Sequence, residues 1–409
     1  MTKFCIESYI NNLDENTQCI NIEFTQINYL PDLTKFINLQ ELNCYNNQLK
    51  SLSISNKNLQ ELNCYNNQLT SLSILTKNLI ILNCSNNQLC SLHILNENLL
   101  LLNCSNNQLT FLPALNKNLK ILNCSNNQLT SLSNLNENLQ ELICSNNQLT
   151  SLPNLNENLQ VLHCYNNQLT SLPELNKNLQ ILHCYNNQLC YLPDLNENLQ
   201  NLYCFNNQLP FLPILNENLQ ELSCYYNILT FLPSLNENLK VLNCSDNQLC
   251  YLPNLNKNLE TLYCYNNKLT SIPSLNENLQ KLYCFTNKLT HLSALNKNLQ
   301  ELVCYENNII FLPILNENLQ VLYCFYNPIY TIIGSDNLIT MKQKIKILYN
   351  FCHLYHHLKF KHKFWIWLLK IREPLIIQKY HPSHLIEFLK DENGDIDENI
   401  DINIILDNW

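Results

Sequence analysis

The stretch LQVLHCYNNQLTSLPELNKN at residues 159–178 is one copy of a unit that recurs every twenty residues along most of the chain. Asparagine fills the position of Asn167 fifteen times, and cysteine fills the position of Cys164 equally often. A fixed period of this length predicts one supersecondary unit stacked many times. Such a solenoid has a long surface and no deep pocket, so the sequence favours binding over catalysis.

The apolar positions within the unit predict a short strand. Leucine at Leu159 and Leu162 is followed by Cys164, Leu169 and Leu172, which gives the pattern LxxLxCxxNxLxxL. The residues around the cysteine alternate in polarity, so leucine and cysteine should point inward. Stacked copies then form a parallel sheet with identical side chains in columns roughly 4.8 Å apart. The proline-containing LPxLNEN segments favour extended or polyproline geometry without helices.

This pattern resembles that of leucine-rich-repeat proteins, with cysteine in the third apolar position. The unit is similar to the twenty-residue repeats of bacterial type III effectors. Its wording LNCxNNQLTSLP more closely resembles repeat proteins of giant DNA viruses of amoebae (mimivirus-like). The resemblance covers about residues 39–333. It implies a leucine-rich-repeat solenoid with a parallel β-sheet on the concave side, extended or polyproline segments on the convex side, and a role in protein binding.

The repeats divide the chain into four predicted segments. Residues 1–38 are expected to form an N-terminal cap and divergent half-repeat, and residues 39–333 about fifteen repeats. Residues 334–390 are expected to form a basic helical module that caps the solenoid. The acidic tail, residues 391–409, has a net charge of −7, against +8 for residues 338–390. We therefore expect the tail to fold back on the basic helices, with membrane or nucleic-acid contact by those helices as the alternative.

Three helices are predicted in the C-terminal module. Apolar residues over 338–355 are spaced three and four apart, and the serine–aspartate pair at 335–336 can cap this first helix. A second helix is expected over residues 359–371, ended by Pro374, and a third over residues 382–390.

The cysteine column is predicted to be a packing feature. Parallel thiols that point the same way cannot surround a metal ion tetrahedrally, and they do not meet disulfide geometry. Small apolar side chains buried in a column explain them better. His353 and His357 lie one helical turn apart but lack a third ligand at a suitable spacing. We therefore expect no metal and no other cofactor.

The first residues, MTKFCIESYINNLDEN, contain no apolar run that resembles a signal peptide, and no stretch is long enough to span a bilayer. Twenty-one cysteines would suggest a disulfide scaffold in a small secreted protein, but fifteen of them here fill one repeat position, which indicates a reduced protein. The expected location is therefore intracellular, in the cytoplasm of an infected host cell if the viral resemblance holds, and not secreted.

The residues that flank the inward leucine and cysteine should face solvent on the concave side. These columns are polar in the first half of the solenoid and become aromatic in the second half. Clustered exposed aromatic residues mark protein interfaces, although rings that merely stack to cover the sheet are the alternative. The residues predicted to bind a partner protein are Tyr165, Tyr185, Tyr203, Phe205, Tyr225, Tyr263, Tyr265, Tyr283, Phe285, Tyr305, Tyr323 and Phe325.

Two other functions are weighed against this prediction. Nucleic acid is excluded from the concave face, because carboxylates there outnumber the single cation Lys281. An effector or adaptor could instead link a bound protein to a second machinery, such as ubiquitin ligation, through the C-terminal module. The related effectors use a nucleophilic Cys-x-Asp, whereas Cys352 is followed by His353 and Leu354. The sequence therefore predicts a scaffold and not an enzyme.

Overall fold

The computed structural model describes residues 4–72, 76–334 and 337–380 of the 409. One sixteen-stranded parallel sheet runs through it, and its strands are hydrogen-bonded in chain order. The chain forms two compact units, residues 1–341 and a second unit from residue 342 onward. The predicted leucine-rich-repeat solenoid with a parallel sheet is therefore confirmed.

Each strand is three residues long and occupies the same position in its unit. The strands are β1 (Cys19–Asn21), β2 (Glu41–Asn43), β3 (Glu61–Asn63), β4 (Ile81–Asn83), β5 (Leu101–Asn103), β6 (Ile121–Asn123), β7 (Glu141–Ile143), β8 (Val161–His163), β9 (Ile181–His183), β10 (Asn201–Tyr203), β11 (Glu221–Ser223), β12 (Val241–Asn243), β13 (Thr261–Tyr263), β14 (Lys281–Tyr283), β15 (Glu301–Val303) and β16 (Val321–Tyr323). Their register is unshifted, since Leu202 pairs with both Leu182 and Leu222. Strand β1 pairs with β2 and adds one strand before the fifteen regular units.

The second residue of each strand and the cysteine after the strand form the core. Leu162 and Cys164 are fully buried, and all fifteen cysteines of the column are buried free thiols. Because burial strips water from the thiolate, it raises the pKa of Cys164 to about 12. The column therefore packs as small apolar side chains, as predicted, and its thiols stay protonated at neutral pH.

The asparagine ladder is formed by the asparagine that recurs three residues after each cysteine. Nδ2 of Asn167 donates to the carbonyl oxygens of Cys144, Cys164 and Tyr165 at 3.1, 3.1 and 3.3 Å. Its Oδ1 accepts a hydrogen bond from the backbone N–H of Leu149 at 3.0 Å. One buried amide thus satisfies four backbone groups of two successive repeats. The predicted role of this asparagine in the turn is confirmed, and the bond to the preceding repeat comes in addition.

Two more asparagine columns hold the return segments, which connect each strand to the next. Nδ2 of Asn136 donates to the carbonyl of Asn116 at 2.8 Å, and Nδ2 of Asn138 donates to the carbonyl of Lys117 at 2.7 Å. The backbone N–H of Asn138 donates to Oδ1 of Asn136 at 2.9 Å. The described return segments between β2 and β16 contain no helix, so these amides supply partners that a helix would have supplied internally. The recurrent LNEN and LNKN motifs contain the asparagines that make these hydrogen bonds.

The residue before each ladder asparagine has a left-handed backbone. Its φ lies between 49° and 55° in all fifteen regular units. Asparagine tolerates this region better than most non-glycine residues, which explains the NN pair of most units. Thr286 and Tyr226 adopt the same conformation without that tolerance. This left-handed column was not predicted from the sequence.

Helices lie at both ends of the described chain. Helix α1 (Ile6–Asn11) precedes β1, α2 (Pro328–Ile333) follows β16, and α3 (Leu338–Tyr380) ends the described residues. Helix α2 was not predicted; it ends at Gly334, which has a left-handed backbone with φ 51°. Helix α3 begins after Asn337, whose Oδ1 accepts a hydrogen bond from the N–H of Thr340 at 3.1 Å.

The predicted division of the C-terminal module at Pro374 is wrong, because α3 runs as one 43-residue helix through that proline. The stretch between the first two predicted helices contains no glycine or proline, so nothing stops the helix there. The predicted cap at 335–336, the third helix at 382–390 and the acidic tail at 391–409 lie outside the described residues. Among those that are described, no helix is long and apolar enough to cross a lipid bilayer.

Replacing a ladder asparagine should open the turn that it holds. We expect Asn167→Ala to lower the free energy of unfolding by about 2 to 3 kcal/mol, because buried backbone groups lose their partners. Urea denaturation measures the loss, and hydrogen exchange of the Leu149 amide should accelerate. The neighbouring exposed substitution Gln168→Ala should change stability by less than about 0.5 kcal/mol. Equal stability of the two variants would contradict the role of the ladder.

Strain in the left-handed column should be removable at Thr286. A β-branched residue is disfavoured in this region, so Thr286→Asn should raise the free energy of unfolding by about 1 kcal/mol. Urea denaturation checks the gain. Thr270→Asn, at an exposed position whose φ is not positive, serves as the control and should bring no gain.

Candidate functional site

The sheet face is the outer surface of the sheet, the concave side of the predicted architecture. It is formed by the first and third residues of each strand and the residue after the cysteine. In the unit of β8 these are Val161, His163 and Tyr165, which are partly exposed, whereas Leu162 and Cys164 between them are buried. Since the strands are in register, each position forms a column, and the predicted alternation is observed.

The aromatic residues after the cysteines stack face to face. Tyr45 and Tyr65 form one such pair with centroids 4.6 Å apart. From β8 onward, neighbouring ring centroids are 4.1–4.5 Å apart and their planes lie within 12° of parallel. This spacing follows from one ring per strand. Ser245 interrupts this later part of the column and divides it into two groups of four rings. Stack A consists of Tyr165, Tyr185, Phe205 and Tyr225, and stack B consists of Tyr265, Phe285, Tyr305 and Phe325.

A second row of rings lies beside stack A. His163, His183 and Tyr203 stack with centroids 4.3 and 4.4 Å apart and planes 5° from parallel. The two histidine rings lie 6.3 and 6.4 Å from Tyr165 and Tyr185, tilted by 45°. Neither histidine was among the predicted binding residues, although both occupy the column of Tyr203 in the sequence. Stack A is thus the edge of a wider aromatic cluster.

Beside stack B the second row is less regular. Tyr263 and Tyr283 are 4.8 Å apart and tilted by 33°. Val303 is buried, and Tyr323 is exposed at the last strand. The twelve predicted residues therefore form two clusters and not one continuous zone. Asn243, Ser245 and Asp246 form the polar break between them, which was legible in the sequence.

Stacking determines which parts of the rings can meet a partner. The ring faces cover one another, so the alternative prediction that rings cover the sheet describes part of their role. The ring edges and the tyrosine hydroxyl groups remain at the partly exposed surface. Rings held this way lose little conformational freedom when a partner binds, which favours affinity.

Carboxylates fix two tyrosine hydroxyl groups on this face. The Tyr203 hydroxyl donates to Glu221, and the Tyr283 hydroxyl donates to Glu301. Lys281 forms an ion pair with Glu301 at 2.9 Å. The hydrogen bonds from Tyr283 and Lys281 lower the pKa of Glu301, and the bond to Glu301 raises the pKa of Tyr283 to about 12. The sheet-face cation that the sequence identified is thus neutralised locally, which disfavours phosphate binding.

The two stacked histidines are neutral at physiological pH. Burial lowers the pKa of His183 to about 4, with a further contribution from His163, and burial also lowers the pKa of His163. Across the residues that the structure describes, no group of three or more His, Cys, Asp or Glu side chains is placed to hold a metal ion. The histidines therefore act as flat, uncharged rings in the cluster.

The sixteen parallel strands and their twenty-residue units define a β-solenoid protein of the leucine-rich-repeat class. A family model described as leucine-rich repeats (2 copies) matches residues 137–175, 157–197 and 257–297. No curated protein sequence matches the chain.

Solved structures agree with this class. YopM, a leucine-rich effector protein from Yersinia pestis, is 32% identical, with 78% of this chain and 91% of that chain covered and a TM-score of 0.69. YopM from Yersinia enterocolitica is 28% identical, with 78% and 89% covered and a TM-score of 0.59. The functional domain of InlJ from Listeria monocytogenes, which includes a cysteine ladder, is 27% identical, with 72% and 69% covered and a TM-score of 0.63. The chain belongs to the leucine-rich-repeat proteins.

The stacked histidines should make stability depend on pH. The unfolded chain binds a proton at His183 near pH 6.5, whereas the folded chain resists it down to about pH 4. The unfolding free energy should therefore fall as the pH is lowered through this range. His183→Phe keeps the ring and removes the titration, so its stability should fall less over the same range in urea denaturation. Parallel pH profiles of wild type and variant would contradict this assignment.

Proposed function

We propose that the chain is a non-enzymatic scaffold that binds a partner protein on the aromatic half of the sheet face, with stack A and its histidine row as the main contact. The main support for this proposal is a comparison between units of the same solenoid. Serine fills the same column in earlier units that form the same strands and turns, so the solenoid does not require the rings. These serines are Ser85, Ser105, Ser125 and Ser145.

The chemistry of the face indicates the kind of partner surface. Ring edges carry partial positive charge and suit carbonyl and carboxylate oxygens, while the apolar ring area favours aliphatic side chains. A standard interface buries about 800 Å² on each partner, which is more than four stacked rings provide. The contact therefore includes the flanking Val161, Ile181 and Glu221, and the carboxylate favours a partner that is neutral or basic there.

The proposal also includes a viral source and a reducing intracellular compartment. The unpaired surface thiols Cys90, Cys190 and Cys250 support a reducing environment, since exposed cysteines oxidise readily outside cells. The LNCxNNQLTSLP wording supports a viral source and action in the cytoplasm of an infected cell.

The alternative is an adaptor whose C-terminal module contacts a second machinery. Helix α3 supports it, because large apolar side chains are exposed along the helix. They include Phe351, Leu354, Leu358, Trp365 and Trp367. The similarity to an effector protein agrees with such a role, although an interaction scaffold needs no second activity.

Affinity capture from cell extract tests the sheet-face contact. The full chain is compared with a variant in which Tyr165, Tyr185, Phe205 and Tyr225 are changed to serine, the residue of the earlier units. We expect the variant to fold and to capture the partner at least tenfold less, since removal of central aromatic contacts typically costs more than about 1 kcal/mol each. Binding with the purified partner then quantifies the loss.

Two control variants separate the hypotheses. Phe111→Ser removes an exposed ring outside the sheet face and should leave capture unchanged. Trp365→Ser/Trp367→Ser should retain the sheet-face partner and lose only proteins held by the C-terminal module. Capture that survives the four serine substitutions would refute the proposed contact.

A further inference from the structure

The return segments carry a second line of aromatic side chains. One position of the return segments holds an aromatic residue in four successive units. These residues and their exposed fractions are Tyr191 (46%), Phe211 (48%), Phe231 (43%) and Tyr251 (58%). We call these four residues the return stripe. They lie two residues after the buried leucine that follows the asparagine ladder, outside the sheet face.

The solenoid does not require aromatic rings at this position. Serine fills it in units that form the same turns and strands, among them Ser131, Ser151, Ser171 and Ser271. The neighbouring Leu192 and its equivalents supply the packing, since they are buried while the rings are not. The rings therefore contribute little to the core that serine would not.

The return stripe differs from stacks A and B in geometry. No ring contact joins its four members, all of which are described, whereas neighbouring rings of the stacks are parallel and in contact. Further along the same column the backbone positions run parallel, because His291 and Phe311 form a bridge there. The four rings of the stripe are thus exposed without being stacked on one another.

Two exposed aliphatic side chains lie close to the stripe in sequence. Ile214 is 86% exposed three residues after Phe211, and Ile228 is exposed three residues before Phe231. Clustered exposed apolar side chains on a repeat protein mark an interaction site.

The charge around the stripe indicates its ligand. Residues 178–239 contain no lysine or arginine, and their carboxylates include the exposed Asp194, Glu197 and Glu217 in the same return segments. At the two ends of the stripe the position of Glu197 and Glu217 is held by Lys177 and Lys257, and Lys257 forms an ion pair with Glu237 at 3.6 Å. The acidic border therefore lies beside Tyr191, Phe211 and Phe231, where it attracts cationic ligands and repels anionic ones.

We propose that the return stripe docks a segment of a partner protein in which apolar side chains are interspersed with lysine or arginine. The apolar side chains contact the ring faces and Ile214, and the cations lie over the rings and against the bordering carboxylates. The stripe lies outside the sheet face, so a ligand on the stripe does not occupy the rings of stacks A and B. The proposal does not depend on the sheet-face contact.

A synthetic peptide tests the stripe directly. The probe is a short fluorescein-labelled peptide of leucine and lysine, and its affinity for the full chain is measured by fluorescence anisotropy. We expect saturable binding that weakens with salt and is at least tenfold weaker for Phe211→Ser/Phe231→Ser. Serine occupies this column elsewhere in the solenoid, so the variant should fold, which its urea midpoint verifies.

Matched controls test where the peptide binds and whether its charge matters. Phe111→Ser changes an isolated ring of the same column and should leave peptide affinity unchanged, as should the serine variant of stack A. Glu217→Gln with Asp194→Asn should weaken the peptide while the rings remain, and a leucine–glutamate peptide should not bind. Equal affinity of the Phe211→Ser/Phe231→Ser variant, or of the glutamate peptide, would overturn the proposal. So would stripe-dependent binding to phosphatidylserine vesicles, which would assign the stripe to a lipid surface.

Discussion

The hydrogen bonds of one buried amide per repeat govern this structure. Three-residue strands pair only a few backbone groups, and a twenty-residue unit leaves no room for a helix on its return path. The amide of Asn167 and its equivalents takes up carbonyl and N–H groups from two successive repeats, and Asn136 and Asn138 do the same in the return segments. Backbone hydrogen bonds between successive repeats, such as that from the N–H of Cys164 to the carbonyl of His183, pair many of the remaining groups. Asparagine side chains supply partners for groups that these bonds leave over, while leucine and cysteine fill the dry interior.

This division of roles leaves other positions free to vary. The position after the cysteine and the position of Phe211 hold serine in some units and an aromatic ring in others, with the same strand and turns around them. Units of one repeat protein can thus be compared with each other, because a serine in one unit shows that the fold does not require the aromatic ring in another. The inference that rings serve binding rests on this comparison and on the charge beside them.

Much of the fold could be predicted because the period, the leucines and the cysteines report burial directly. Helix bounds could not, since the apolar spacing around Pro374 says little about whether a long exposed helix tolerates one missing hydrogen bond. For the candidate site, the aromatic positions were legible, but ring stacking depends on side-chain rotamers that sequence does not give. Ser245 could be read as a polar residue within the aromatic column from the sequence. That it separates two ring stacks follows only from the positions of the rings on either side.

The cysteine column also has a consequence for how the molecule ages. A thiol such as Cys164 is inert while its repeat is closed, because burial keeps it protonated. When one repeat opens, its thiol regains an ordinary acidity and reacts with whatever oxidant or alkylating reagent is present. Each repeat therefore contains a thiol that reports its own local opening. The order in which the fifteen cysteines become modified shows which repeats open most readily.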